Sequence, residues 1–459
     1  MVVLLDSCSK EPLPAPVVEK SRECDLLILR GESSYNPGLN FSGNATIGSE
    51  MVYLTLPENV DITTLKLFIQ SSSKSTISIN NTPFVSNSTS LNASSTLRVK
   101  ITAEYGNTKE YKLLVNRGNS NIDNLLYNFM KIYSIPGVSV AISKDEQLVY
   151  SEGLGFAIKE SEQRVVPTNL FRLASMSKQF TALCILKLYE DGKLQLDQTV
   201  FGQGGILESD FPSVSAKAAA VNVRHLLSHT SGWVSDPDPM FTSSFAGQTL
   251  KQRVSYMLTS AQSTPGTSFS YYNMGFGVLG LIIEKVSGKS YETYLKEVLA
   301  QSDITDIHVG GNYSQRRSNE VVYYSQSGTD GYGNDMQVIA AAGGVIASTQ
   351  DLLKLAHHID GYSEVVDIIS SSTRQTMITP PFPSVYTRYA LGWRLNHTYY
   401  PGALYHAGNL AGTATQWVVG GNLNVVVLCN SRSYISGFDD EMYGLLKNIR
   451  DMASGITNW

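Results

Sequence analysis

Residues 171–192 read FRLASMSKQFTALCILKLYEDG, and this stretch decides how the rest of the chain is read. From Met176 to Glu190 apolar residues fall almost all round the helical wheel, and Gly192 ends the run. A helix without a polar face belongs in the centre of a domain. Ser175 and Lys178 stand at its start, three residues apart, so they share one face and come within reach of each other. A serine hydroxyl is a weak nucleophile until a neighbour takes its proton. A lysine can take that proton only when burial or nearby charge lowers its pKa, because an ammonium has no lone pair to accept with. The apolar helix supplies the burial. The same spacing recurs at Ser7 and Lys10 and at Ser71 and Lys74, but neither pair precedes an apolar helix. Both read as solvated loop residues, so context and not spacing selects Ser175 and Lys178.

Two further motifs follow in order. Tyr271-Tyr272-Asn273 comes after Pro265-Gly266-Thr267 and before Gly275, and Tyr405-His406-Ala407-Gly408-Asn409 precedes a predicted strand at residues 415–419. The succession Ser-x-x-Lys, Tyr-x-Asn, His-x-Gly resembles the class C β-lactamases, D-alanyl-D-alanine carboxypeptidases and related esterases, with the His-x-Gly in place of a Lys-Thr-Gly strand. The phrases His225-Leu226-Leu227-Ser228-His229-Thr230-Ser231-Gly232, Gly343-Gly344-Val345-Ile346-Ala347-Ser348 and Ala390-Leu391-Gly392-Trp393 also resemble that group. The likeness runs from about residue 120 to the C-terminus.

The resemblance implies an acyl-enzyme on Ser175, with Lys178 and Tyr271 handling its proton. Tyr271 would also protonate the leaving group and then activate water for deacylation. Which of the two is the principal base stays open at this point. The oxyanion donors implied are the backbone N–H groups of Ser175 and Asn409, with His406 and Gly408 on the same substrate-facing strand, and Asn273 would hold an acyl side-chain amide. The substrates implied are a small ester, a β-lactam or a D-amino-acid peptide, with no cofactor and no metal. The departure at His406 matters, because an imidazole is largely neutral at pH 7 and offers no permanent cation to a substrate carboxylate. It tilts the expectation from β-lactamase and carboxypeptidase toward esterase, amidase or D-aminopeptidase. His229 reads as a tie for its loop, Ser177 as a structural hydrogen-bonder, and Asp351 as part of a helix cap with Ser348.

The remaining sequence bounds the architecture. A chain of 459 residues predicts two or more domains. A net charge of −5 without any Lys/Arg block excludes a nucleic-acid footprint. Four cysteines are too few for a disulfide scaffold, Cys184 and Cys429 lie in apolar runs, and no zinc-ligand spacing occurs. Residues 1–23 read as a tether. Its Leu5-Asp6-Ser7-Cys8 resembles the end of a truncated bacterial lipoprotein signal, with Cys8 the expected lipid anchor and the cell envelope the expected location. Residues 24–117 are rich in Ser, Thr and Asn and alternate in short apolar runs, predicting a small all-β sandwich. That segment resembles the cadherin-like or immunoglobulin-like modules of bacterial surface lipoproteins and reads as a spacer. Residues 118–459 predict an α+β hydrolase domain: an antiparallel sheet flanked by helices, with a helical subdomain. Strands are expected at 137–143, 147–151, 389–395, 415–419 and 424–429. Helices are expected at 121–134, 176–190, 223–227, 250–259, 275–286, 291–299, 349–359 and 439–452. The alternative is a catalytically silent surface protein that binds peptidoglycan or glycans through the β-module. The full set of Ser175, Lys178, Tyr271 and Asn273 speaks against it, since a binder needs none of them together.

Overall fold

A computed structural model describes residues 20–40, 43–234 and 238–457. Cys8 and the tether up to residue 19 lie outside the described residues. The chain divides into two compact units, residues 1–120 and 121–459.

The first unit is all-β among its described residues. In one sheet Leu26–Gly31 pairs antiparallel with Leu65–Ser71. In the other, Thr108–Arg117 lies between Leu97–Thr102, antiparallel, and Met51–Leu56, parallel. Strand Leu97–Thr102 shows the alternation that makes a sheet face, with Leu97, Val99 and Ile101 inward and Arg98 outward. Leu29, Leu67 and Ile69 of the first sheet share one core with Val52, Leu54, Val99 and Leu113 of the second. This is the sandwich that the alternating runs predict.

The second unit is built on a seven-stranded sheet that is antiparallel throughout. Its order from one edge is Gln163–Arg164, Gln147–Ile158, Gly137–Lys144, Leu423–Cys429, Thr413–Val419, Tyr400–Leu410 and Arg394–His397. The first and last parts of the unit therefore meet side by side at the sheet centre. Every residue of Thr413–Val419 and Leu423–Cys429 is buried, so both faces of the sheet are covered. Helices Thr349–His357 and Phe438–Gly455 pack against these central strands. This is the helix-flanked α+β fold expected.

The apolar helix is Ser177–Glu190, preceded by a 3₁₀ turn at Ala174–Met176. Its residues from Ser177 to Leu186 are all buried, and it packs on helix Asn273–Ser287 and helix Tyr291–Val298. Truncating one of its buried leucines to alanine would cost about 2–5 kcal/mol. One expectation shifts. The strand expected at 389–395 begins only at Arg394, because the Ala390 N–H donates to Trp393 O and Gly392 turns the chain at a φ of 85°. A Cβ on Gly392 would lie 2.6 Å from Ala182 Cβ, so the turn sits directly on the apolar helix. The His406 motif lies in strand Tyr400–Leu410 and precedes strand Thr413–Val419, as the sequence order implies. The run Ala340–Gly344 forms a single π-helical turn.

Because the two units have separate cores, residues 118–459 expressed alone are expected to fold and to melt cooperatively. Thermal melting of both chains checks this; a 118–459 that is insoluble or melts without cooperativity would refute it.

Candidate active site

Among residues 171–186 only Ser175 is not buried, so the elbow between strand Phe171–Arg172 and the apolar helix presents one side chain to solvent. Ala174, just before it, has a φ of 49°. A non-glycine residue there costs on the order of 1–3 kcal/mol and persists only where the surroundings enforce it. The enforcement is visible. The Leu173 N–H donates to Val345 O, and Thr415 Oγ1 donates to Leu173 O at 2.9 Å. Gly408 abuts the turn so closely that a Cβ there would lie 2.2 Å from Leu173 O.

Lys178 is fully buried, and its Nζ meets three acceptors: Ser175 Oγ at 3.2 Å, Asn273 Oδ1 at 2.8 Å and Ala342 O at 2.7 Å. The last is a carbonyl of the π-helical turn. Two of the three are carbonyl oxygens, which can only accept. A neutral Lys178 therefore keeps its two N–H bonds on them and turns its lone pair to the Ser175 hydroxyl. Burial pushes the Lys178 pKa well below the usual lysine range; Asp238 opposes this and the charge of Arg394 adds to it.

Tyr271 lies beside this pair, its ring centroid 4.9 Å from Lys178 Nζ. Burial pushes its phenol up, and the Ser175 hydroxyl pulls it back down. His229 does the positioning. Its carbonyl accepts from Ser270 N at 2.9 Å, its Nδ1 accepts from Tyr272 N at 3.1 Å, and its ring packs 4.3 Å from that of Tyr271. It thus grips the residues on both sides of Tyr271, the loop tie expected from the sequence. Burial, then the nearby positive charges of Lys178 and Arg394, holds His229 well below the ordinary histidine pKa, so it stays neutral. Ser177 and Asp351 also behave as read. Ser177 Oγ accepts from Val345 N, and Asp351 closes a capping box with Ser348.

His406 reaches the site from strand Tyr400–Leu410, its ring 6.2 Å from that of Tyr271. Its Nδ1 bonds Ala407 O at 2.7 Å and its Nε2 meets the Tyr389 hydroxyl at 3.2 Å, the pattern of a neutral imidazole. Burial, then the charges of Arg394 and Lys178, lowers its pKa well below the ordinary value. Asn409 is exposed on the same strand, and its side chain donates to Asp439. Ser175, Lys178, Tyr271, Asn273 and His406 are thus brought together, with Gly408 against the nucleophile turn.

Sequence reasoning missed two charged residues. Asp238 Oδ2 accepts from Asn273 Nδ2 at 3.0 Å. It sits in a Pro-containing loop with no periodicity to mark it. Arg394, paired across the sheet with Tyr405, places its guanidinium 5.3 Å from the Tyr271 ring centroid. Burial works against its charge, and the surrounding Tyr389, Tyr443, Tyr271 and Tyr405 more than offset that. Among the described residues no carboxylate forms an ion pair with it. Its position directly after Ala390-Leu391-Gly392-Trp393 was the available signal.

The beta-lactamase family profile matches residues 122–446, and the chain belongs to that family. It is 25% identical to protein flp of Staphylococcus aureus (strain MRSA252) over 331 residues, covering 70% of this chain and 64% of flp. In strain MW2 the match to flp covers only 36% of that protein. Among solved structures it is similar to the octameric penicillin-binding protein homologue from Pyrococcus abyssi, at 25% identity and a TM-score of 0.58, covering 72% of this chain and 77% of that one. The fold is also that of a beta-lactamase/D-alanine carboxypeptidase from Pseudomonas syringae, at 19% identity and a TM-score of 0.60, covering 72% and 99%. The serine-hydrolase fold of this superfamily is therefore established for residues 121–459.

Gly408→Ala is expected to force the strand off the nucleophile turn. It should cost about 1–3 kcal/mol of stability and lower turnover by about a hundredfold, read by thermal melting and ester kinetics. Turnover should also be lost as pH falls through the depressed Lys178 pKa and present above it, since only the neutral amine accepts a proton. A kcat/KM profile flat across that range would show that Lys178 is not the base.

Proposed function

We propose that the protein hydrolyses esters or amides through an acyl-enzyme on Ser175. The observation that carries this reading is the Lys178 Nζ to Ser175 Oγ contact of 3.2 Å, with the other two directions of the amine occupied by carbonyls. Lys178 takes the serine proton as Oγ attacks the substrate carbonyl, and the Lys178 ammonium returns it to Oγ when deacylation breaks the acyl–oxygen bond. The resulting oxyanion faces the backbone N–H groups of Ser175 and Asn409. Tyr271 passes a proton to the leaving group, which departs as alcohol or amine, and the same phenol oxygen then takes a proton from the water that releases the acyl group. This order makes Lys178 the base of acylation.

Arg394 bears on substrate class. The buried imidazole of His406 supplies no cation, but the guanidinium of Arg394, unpaired with any carboxylate among the described residues, stands at the Tyr271 side of the site. It favours substrates carrying a carboxylate, as N-acyl-D-alanyl-D-alanine and penicillins do, and so offsets the tilt toward neutral esters implied by His406. The D-alanine carboxypeptidase named among the structural neighbours supports the same class. We place the enzyme at the bacterial cell envelope through lipidation of Cys8, a reading that rests on the sequence alone.

Covalent labelling by fluorescent penicillin, and turnover of a p-nitrophenyl ester, are expected in the wild-type chain and absent in Ser175→Ala, whose stability should change by less than about 1–2 kcal/mol. Arg394→Met should raise KM for N-acyl-D-alanyl-D-alanine by about tenfold or more while leaving the uncharged ester within about threefold. Turnover persisting in Ser175→Ala would sink the assignment. A wild-type chain that neither labels nor turns over would favour the silent glycan-binding alternative.

A further inference from the structure

Behind the Ser175–Lys178 pair lies a line of hydrogen bonds that ends on a carboxylate. Lys178 donates to Asn273 Oδ1, Asn273 Nδ2 donates to Asp238 Oδ2 at 3.0 Å, and Asp238 Oδ1 accepts from the Met240 N–H at 3.0 Å. The Asp238 turn is itself fixed, since its carbonyl accepts from the N–H groups of Phe241 and Thr242 and from Thr242 Oγ1. Both Asp238 oxygens therefore face donors, which only the ionised carboxylate satisfies fully. Asn273 has two chemically distinct ends, and nothing in its own geometry decides which end faces the lysine. Asp238 decides it, because a carboxylate can only accept.

We propose that Asp238 is a positioning residue for proton transfer: through Asn273 it fixes the amide oxygen on Lys178 and supplies the negative charge that governs when this lysine gives up its proton. The inference rests on the acyl-enzyme reading above only for its catalytic consequence. The groups facing Lys178 from the surrounding elements are Tyr271 and Asn273 at the start of helix Asn273–Ser287, and Ala342 of the π-helical turn. Arg394 and His406 face it from neighbouring strands, and His229 from its loop. Asp238, behind Asn273, is the anion and Arg394 the opposing cation; the two imidazoles are neutral. Burial raises the Asp238 carboxyl, and the bonds from Met240 and Asn273 and the charge of Lys178 pull it back. Deleting the anion removes the support that the ammonium has against burial and Arg394, so the Lys178 pKa must fall.

The test is a titration of the full chain carrying ¹³Cε-labelled lysine, with the Lys178 resonance identified by its loss in Lys178→Arg. In Asp238→Asn the Lys178 titration is expected to move to lower pH by about one unit, and Asp238→Glu is expected to restore most of it. In the wild-type chain the same resonance should show a second inflection as Asp238 protonates, so the coupling is measurable even where a variant fails to fold. The acid limb of kcat/KM should move down with the NMR titration. Asp238→Ala, which also frees the Asn273 amide, should lose about tenfold or more in maximal turnover. A Lys178 titration unmoved in Asp238→Asn, or a wild-type resonance without the second inflection, overturns the inference. A moved titration in a chain with no ester turnover would uphold the Asp238–Lys178 coupling and refute the acyl-enzyme reading.

Discussion

The burial of one lysine is the constraint on which the rest of the hydrolase unit depends. Placing an ammonium in an apolar interior is costly unless every N–H finds an acceptor. Here the acceptors come from three places far apart in sequence: Ser175 on the nucleophile turn, Asn273 at the start of a second helix, and Ala342 on a π-helical turn. Each must be held to within a few tenths of an ångström. Thr181 Oγ1 donates to Ala341 O, and Ser177 Oγ accepts from Val345 N, so the helix that carries the lysine also carries the side chains that pin the π-turn to it. The helix and the turn are one device.

The same interior makes the chemistry. The burial that lowers the Lys178 pKa also raises that of Tyr271 and keeps His229 and His406 neutral. The result is a site in which the amine is a weaker base and the phenol a weaker acid than in water, so that a neutral Lys178 is available to accept a proton while Tyr271 keeps its own. Charge is confined to the flanks, with Asp238 behind Asn273 and Arg394 beyond Tyr271. The aromatic rings of His229, Tyr271 and Tyr389 fill the space between and leave little freedom for any of them to move.

Backbone geometry carries the remaining load. The left-handed φ of Ala174 is the kind of local strain that a fold tolerates where function needs an exposed side chain at the end of a buried helix. It is held by the contact of Gly408 with Leu173 and by Thr415, both on the sheet. The His-x-Gly strand therefore contributes more than His406. Its glycine lets the strand approach Leu173 and Ala174, the residues just before Ser175.

The sequence by itself determined the division near residue 118, the helix-flanked antiparallel sheet and the pairing of Ser175 with Lys178 at the start of the buried helix. These depend on local periodicity and on the absence of a polar face in one helix, both written in contiguous residues. It also determined the loop role of His229 and the cap at Ser348 and Asp351, because short side-chain-to-backbone bonds have short-range signatures. Tertiary structure alone decided the site's charge. Arg394 and Asp238 act on Lys178 and Tyr271 from residues that share no segment with them, and Coulombic coupling through an apolar interior depends on distance in space and not along the chain. The π-turn at Ala340–Gly344 was likewise illegible, because five small apolar residues are compatible with any backbone until a lysine and a threonine on another helix require its carbonyls.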